Sequence, residues 1–513
     1  MVAIFSTGIA ICHWLTRLRG IELIGYGAGA GVVIQGLFGW GLAANVHFRP
    51  IVIAEFLICP LIALFYIWWR GVLGELRKTL SRGIAWSLSL WMAFLILCVG
   101  ITQLQVQFPE TLGDGFYVFK QHHINVKIQY MTTLPADNYI AYVVTEYLLR
   151  HISFKTERPI MPATEVSNRT ILMPLVAMPF RATLGVSMEP RHLGTFHYVG
   201  QDWPDVEKLY DDAYFRQFLV VAIVLNGLLL LGLLVLFSPL QSAGLVAVGM
   251  LLCATNPYFI SQTIFTWPKS MAGFFILLSW NSLRRRHDPR LVGLCAALAY
   301  HSHPYAIVFA LSLGLWYAFE WWRKRASFRP VLNFTLVFVL SILPWFIWTH
   351  FWLAIPSDMI AQNFFPSWIQ ITPINLVWAR LNNLFLLLTP RPFSLYPFNN
   401  AAVANTTIIC LPGAIGLVLA IPAFCGLTKL REEPALLWSM LVPATLIWLI
   451  FSVPNLVVLH GYQPIVGVLL FLGLGWLKDR VSFKTFWVLV ALQFACNLFV
   501  IIMHGVAVGA HVG

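Results

Sequence analysis

Apolar runs close to 20 residues long, separated by short polar loops, set the first reading of this chain. An α-helix rises about 1.5 Å per residue, so some 20 apolar residues cross the ~30 Å hydrocarbon layer of a bilayer. The pattern predicts spans over about 22–46, 51–69, 84–104, 216–237, 240–256, 262–281, 290–302, 303–321, 331–353, 406–427, 435–454, 457–477 and 484–505. The short alternating segments of a membrane β-barrel are missing. The expected fold is therefore all-α: a polytopic integral membrane protein with about 13 transmembrane helices. The stretch 290–321 is too long for one span and short for two, and "HSHP" at its centre divides it into two short helices. The first 20 residues are apolar and then basic, the reverse of a cleaved signal peptide. They read as a mature segment associated with the membrane interface.

The basic loops give sidedness. "RGVLGELRKTLSRG" (70–83), "LRRRHDPR" (283–290), "WWRKRASFR" (321–329), "TKLREEP" (428–434) and "KDRVSFK" (478–484) all fall on one side of the predicted spans. Lys and Arg favour the cytoplasmic side. Two long loops, 105–215 and 354–405, are then expected outside. The chain divides into N-terminal membrane segments (1–83), a core that includes the first outer loop (84–355), the second outer loop (356–405) and C-terminal transmembrane helices (406–513).

Composition agrees with this division. Of 513 residues 59% are hydrophobic and only 11% charged, against roughly 25% charged in soluble domains. The net charge of +12 sits in the short loops, which argues for topology and against a nucleic-acid partner. All eight cysteines lie in apolar runs without a CxxC pair and read as small buried hydrophobes.

Candidate chemistry gathers outside. The 105–215 loop carries more than half of the chain's Asp and Glu. Its "TLGDGFYVFKQHH" (111–123) places Asp114 between glycines, followed by His122 and His123. An acid over a cavity at a membrane surface can act as a general base, while "GDG" is also a good turn by itself. Asp137 and Asn138 open an amphipathic pattern in "NYIAYVVTEYLLRH", with Ile140, Val143, Val144, Tyr147 and Leu148 at helical spacing. Either one suits an N-cap, and Asp137 also suits a second cavity carboxylate. "RTILMPLVAMPFRATLGV" (169–186) is apolar but broken by prolines, and is expected to be interfacial or re-entrant. Its Arg181, like Arg380 and Arg391, fits a phosphate fork or an interface anchor. Lys269 in "FTWPKS" ends a helix at the outer side, where it can bind a lipid phosphate or snorkel. His301 and His303 in "AYHSHPYA" fit a cavity lining or a plain helix break. Spaced i, i+2 with no third ligand, they give no metal pattern. His460 and Tyr462 lie at another outer turn.

Together "GDGFY" with His122 and His123, "SNRTILMPL" (167–175), "TWPK" (266–269) and "HSHP" (301–304) resemble, in order and sidedness, the glycosyltransferase C superfamily, and within it a set of bacterial members. The similarity covers about 80–355. Asn168 stands where that set has an acid, and Pro304 where it has glycine. The resemblance implies an inverting transfer of a sugar from a polyprenyl-phosphate donor to a glycan, lipid or protein acceptor, on the outer face of a bacterial inner membrane. It implies Asp114 as general base, Lys269 or Arg181 against the departing phosphate, and Asp137, His122, His123, His301 and His303 as substrate-binding residues. No cofactor is expected; a divalent metal, which some members of the superfamily use, is the alternative. Membrane-parallel helices are expected in the outer loop, and the polyprenyl groove beside it. Two other classes stay open: a transporter or lipid flippase, and a catalytically inactive relative.

Overall fold

The computed structural model describes residues 1–103, 105–107, 127–129, 135–160, 165–189, 192–198, 201–209, 211–355, 357, several positions between 374 and 387, 415–450 and 461–512. Nearly everything described is helical. Helices α1 (Val2–Leu15), α2 (Gly20–Ala44), α3 (Arg49–Trp69), α4 (Val72–Thr79) and α5 (Arg82–Ile101) precede the first long loop. That loop contains α6 (Pro135–Leu149), α7 (Leu172–Thr183) and two small antiparallel hairpins, β1 (Gln105–Gln107) with β2 (Lys127–Gln129) and β3 (Thr195–Tyr198) with β4 (Gln201–Pro204). The core continues through α8 (Asp212–Phe237), α9 (Ala243–Ala254), α10 (Pro257–Ile264), α11 (Lys269–Arg284), α12 (Pro289–Ser302), α13 (Ala306–Trp322) and α14 (Arg329–Phe346). After the second long loop come α15 (Leu417–Cys425), α16 (Pro434–Ile450), α17 (Gln463–Arg480) and α18 (Phe483–Val512).

Six of the described helices are long and apolar enough to cross a membrane, or seven spans if α9 and α10, bent by 63° at their break, form one. The chain is thus a helical membrane protein by length and composition, and the larger number of spans read from the sequence is not reached among the described residues. The difference lies in helix length. α11, α12 and α13 have 16, 14 and 17 residues, which is roughly 21–26 Å and short of the ~30 Å layer. The expected division of 290–321 at "HSHP" is present as the break between α12 and α13.

α8 is the central post. It is apolar on every side, and 89% of its apolar window is buried, against 22% for α14 and α18 at the periphery. The first segment packs along a helix of the bundle. α1 runs antiparallel along α2: a Cβ on Gly8 would meet the Gly27 carbonyl oxygen at 1.9 Å, and one on Gly31 the Ile4 oxygen at 1.9 Å. Small residues let helices approach where lipid supplies no hydrophobic drive.

One end of the bundle carries a belt of ion pairs. Arg19 pairs with Glu75 and Lys429 with Asp479. Glu22 accepts from Arg285 and Asn281, each at 3.1 Å, and Arg284 lies 3.7 Å from Glu433. Exposed pairs add little stability, but here they are markers: four of the five basic loops meet at the same end. The opposite end is called distal below.

Candidate functional site around Trp267

The distal region is built on a break in the helical core. Asn256 starts α10, with Pro257 at its first position and the Asn256 side chain accepting from the Tyr258 N–H at 2.8 Å. α10 ends after eight residues, and Pro268 precedes α11. A break inside a membrane body leaves backbone groups needing partners. Asn226, in the middle of α8 and fully buried, supplies them. Its amide donates to the carbonyls of Phe265 (2.9 Å) and Trp267 (3.2 Å), and its oxygen accepts from Met271 N–H (3.3 Å). One side chain thus caps both sides of the break and fixes "TWPK" about 24 Å from the belt end, by the rise of α11.

Trp267 is the centre of what this break presents. Lys269 Nζ sits 3.5 Å from the indole centroid, and the Arg169 guanidinium lies 5.2 Å from the same ring. The His303 ring is 6.2 Å from it. Lys269 and His303 are both buried. Tyr305 ties the segments together, its hydroxyl donating to the Lys269 carbonyl at 2.8 Å and its N–H to His303 Nδ1 at 3.3 Å. Asn168, next to Arg169, is buried and accepts from the Ser357 hydroxyl at 2.8 Å. "SNRTI", "TWPK" and "HSHP" therefore converge, although far apart in sequence. Trp267 Nε1 is buried, and among the described residues nothing accepts from it. Two cations gathered on one indole make the surroundings of Trp267 electropositive, a setting suited to an anion with several oxygens.

The remaining expectations divide. Asp114, His122, His123, Arg391 and His460 lie outside the described residues. Asp137 lies in the first turn of α6, which begins at Pro135, so neither Asp137 nor Asn138 is the residue preceding the helix; the Asp137 side chain lies outside the described residues. His301 is separate from His303: its Nε2–H donates to the Ser341 carbonyl at 2.8 Å, tying α12 to α14. Arg380 donates to the Leu449 carbonyl and Tyr462 to the Ala444 carbonyl, so both brace α16.

Arg181 lies apart from Trp267, inside the protein. It is fully buried, with Nη2 2.6 Å from Glu146 Oε1 and its guanidinium 5.1 Å and 5.3 Å from the Tyr142 and Tyr214 rings. Arg150 holds the other oxygen of Glu146 at 2.8 Å. This triad joins α6, α7 and α8, so Arg181 serves as a structural tie, and among the described residues its Nε and Nη1 have no acceptor. Burial, helped by the Glu146 charge, pushes the Tyr142 phenol well above its ordinary range and keeps it neutral. Glu146 was hidden in the sequence because its i, i+4 partner Arg150 looks like an exposed helix pair. Arg169 was hidden because only the fold brings it to Trp267. Among the described residues no group of three or more His, Cys, Asp or Glu side chains is placed to hold a metal ion.

No family model, curated protein or solved structure matches the chain.

Proposed function

We propose that the protein is a membrane glycosyltransferase that moves a sugar from a polyprenyl-phosphate donor to an acceptor hydroxyl or amine at the distal face, with that face directed out of a bacterial inner membrane. The observation that carries this reading is the convergence of Lys269 and Arg169 on Trp267, from the same segments on which the family resemblance rests. In the proposed reaction the acceptor oxygen or nitrogen attacks the anomeric carbon. Its proton passes to Asp114, and the bond from the anomeric carbon to the phosphate oxygen breaks. The phosphate gains negative charge as it leaves, and fixed cations stabilise growing charge better than they stabilise the ground state. Lys269 and Arg169 take that role, with Arg169 in place of Arg181. The indole N–H of Trp267 offers a further donor. His303 lines the same region.

The apolar space between the helical residues near Asn383 and helices α16 and α17, with a volume of about 220 Å³ and Leu384, Met440 and Trp448 in its walls, is suited to part of an isoprenoid tail. It lies away from the described part of the 105–215 loop, beside which the sequence placed the groove.

Transfer from radiolabelled polyprenyl-phosphate sugars by the purified protein in liposomes tests the reading. Asp114→Asn should abolish transfer while leaving donor binding intact. Full activity in that variant removes Asp114 from the mechanism, and no transfer or donor hydrolysis with any sugar leaves the inactive relative. A transport reading draws on one observation: Glu55 is buried in α3, accepting from Gln35 of α2 at 2.9 Å, and intramembrane acids often mark ion paths. Solute uptake lost in Glu55→Gln would favour it.

A further inference from the structure

A second region, remote from Trp267, carries features of a ligand site. α1 and α3 diverge on the outside of the bundle and leave a groove of about 380 Å³, within the size range of small-molecule sites. Its small residues are Thr7, Ala10, Cys59 and Ala63; Trp14 and Tyr66 stand at one end. From Thr7 to Trp14 the helical rise gives a length of about 10 Å, and the lining is almost wholly apolar, as a hydrocarbon chain requires.

The end marked by Trp14 and Tyr66 is the belt end of the bundle. Trp14, Trp68 and Trp69 are 74%, 70% and 66% exposed there, as expected for tryptophans at a membrane–water boundary. Tyr66 Oη lies 3.2 Å from His13 Nδ1. Arg17 follows Trp14 by three residues and Arg70 follows Tyr66 by four, and both are exposed. The acid in this corner, Glu75, is engaged by Arg19. An apolar slot rising from an interfacial tryptophan, with an exposed arginine just beyond the end of each lining helix, matches a lipid acyl chain beneath an anionic headgroup.

We propose that the α1–α3 groove is a binding site for an anionic phospholipid of the leaflet on the belt side, one acyl chain lying between Ala10 and Ala63 and the phosphate meeting Arg17 and Arg70. The site is independent of the transferase reading. It gives α1 a partner on the side that α2 leaves uncovered.

The test uses the full chain in detergent, titrated with phosphatidylglycerol or with phosphatidylcholine of identical chains, and bound lipid counted by native mass spectrometry. Phosphatidylglycerol should bind ~10- to 30-fold more tightly, as two interfacial arginines imply. Arg17→Gln with Arg70→Gln should erase that preference. Ala63→Phe should remove binding of both lipids. Because Ala63→Phe could disturb folding, a phosphatidylglycerol with a photoreactive acyl chain provides a second measurement on the unmodified protein, and cross-links should map to α1 and α3. Equal affinity for the two lipids, unchanged binding in Ala63→Phe variants that unfold normally, or cross-links confined to other helices would each overturn the proposal. So would a stable dimer whose contact covers the groove and excludes lipid.

Discussion

Asn226→Leu is the sharpest perturbation of the scaffold that holds Trp267 and Lys269. The substitution is close in volume, so it leaves little cavity, but it removes two donated bonds, to Phe265 O and Trp267 O, and one accepted from Met271 N. A fourth contact, to the Thr263 carbonyl at 3.5 Å, is too long to count for much. Side-chain hydrogen bonds inside membrane proteins average ~0.6 kcal/mol with a ceiling near 1.7, because alternative partners are found on unfolding. Three of them give about 2 kcal/mol, and about 5 if the freed carbonyls stay unsatisfied. Thermal unfolding of the variant in nanodiscs should therefore shift down by several degrees. Its affinity for a polyprenyl phosphate should fall as well, since the break carries both Trp267 and Lys269. Asn226→Asp, neutral where it is buried, keeps an acceptor for Met271 and one donor for a carbonyl, so it should be milder than the leucine. An unchanged unfolding temperature in Asn226→Leu, or an aspartate more damaging than the leucine, would refute the capping role.

The buried triad predicts an order of costs. Glu146→Ala leaves Arg150 and Arg181 as two uncompensated buried charges and should cost about 3–5 kcal/mol, whereas Arg181→Met leaves a one-to-one pair and should cost clearly less; denaturant melts of the two variants check the order. His287, in the loop between α11 and α12, has its imidazole pKa held below the usual 6.5 by burial, with Arg285 and Arg284 acting in the same direction and Glu22 opposing. The unfolded chain then takes up the proton first as pH falls. The His287 contribution is present above about pH 6.5 and is lost below it, with a slope of at most ~1.4 kcal/mol per pH unit. Unfolding temperatures from pH 7.5 to 5.5 should fall less in His287→Gln than in the parent protein.

Much of the scaffold was legible because membrane insertion writes itself into local sequence. Apolar runs, basic loops and the prolines of "HSHP" and "TWPK" each report a local cost, and the belt of ion pairs joins loops that charge alone had put on one side. Six or seven spans are long enough among the described residues, fewer than the 13 read, because hydropathy measures transfer from water and does not say how far a helix runs before it breaks. α10 and α11 are divided by backbone needs that Asn226 meets from another helix. The amphipathic face of α6 was correct in Ile140, Val143, Val144, Tyr147 and Leu148, all buried, but its opposite face is buried too. Glu146 and Arg150, which that pattern leaves off the apolar face, are buried with it. Lys269 and His303, singled out by type and position, both lie beside Trp267. Arg169 and the separation of His301 from the cluster depend on tertiary packing, which no local pattern encodes.

The central claim is that Lys269 and Arg169 at Trp267 bind the phosphate of a polyprenyl donor. Equilibrium binding of a short-chain polyprenyl phosphate, compared with the alcohol of the same chain, tests it on the parent protein and on Lys269→Met and Arg169→Met variants that unfold normally. Hydrogen bonds to charged groups contribute about 1.5–3 kcal/mol each, so the parent protein should prefer the phosphate and each variant should lose roughly 10- to 100-fold of that preference while binding the alcohol unchanged. Equal affinity of the parent protein for phosphate and alcohol, or a phosphate preference that survives both substitutions, would contradict the account.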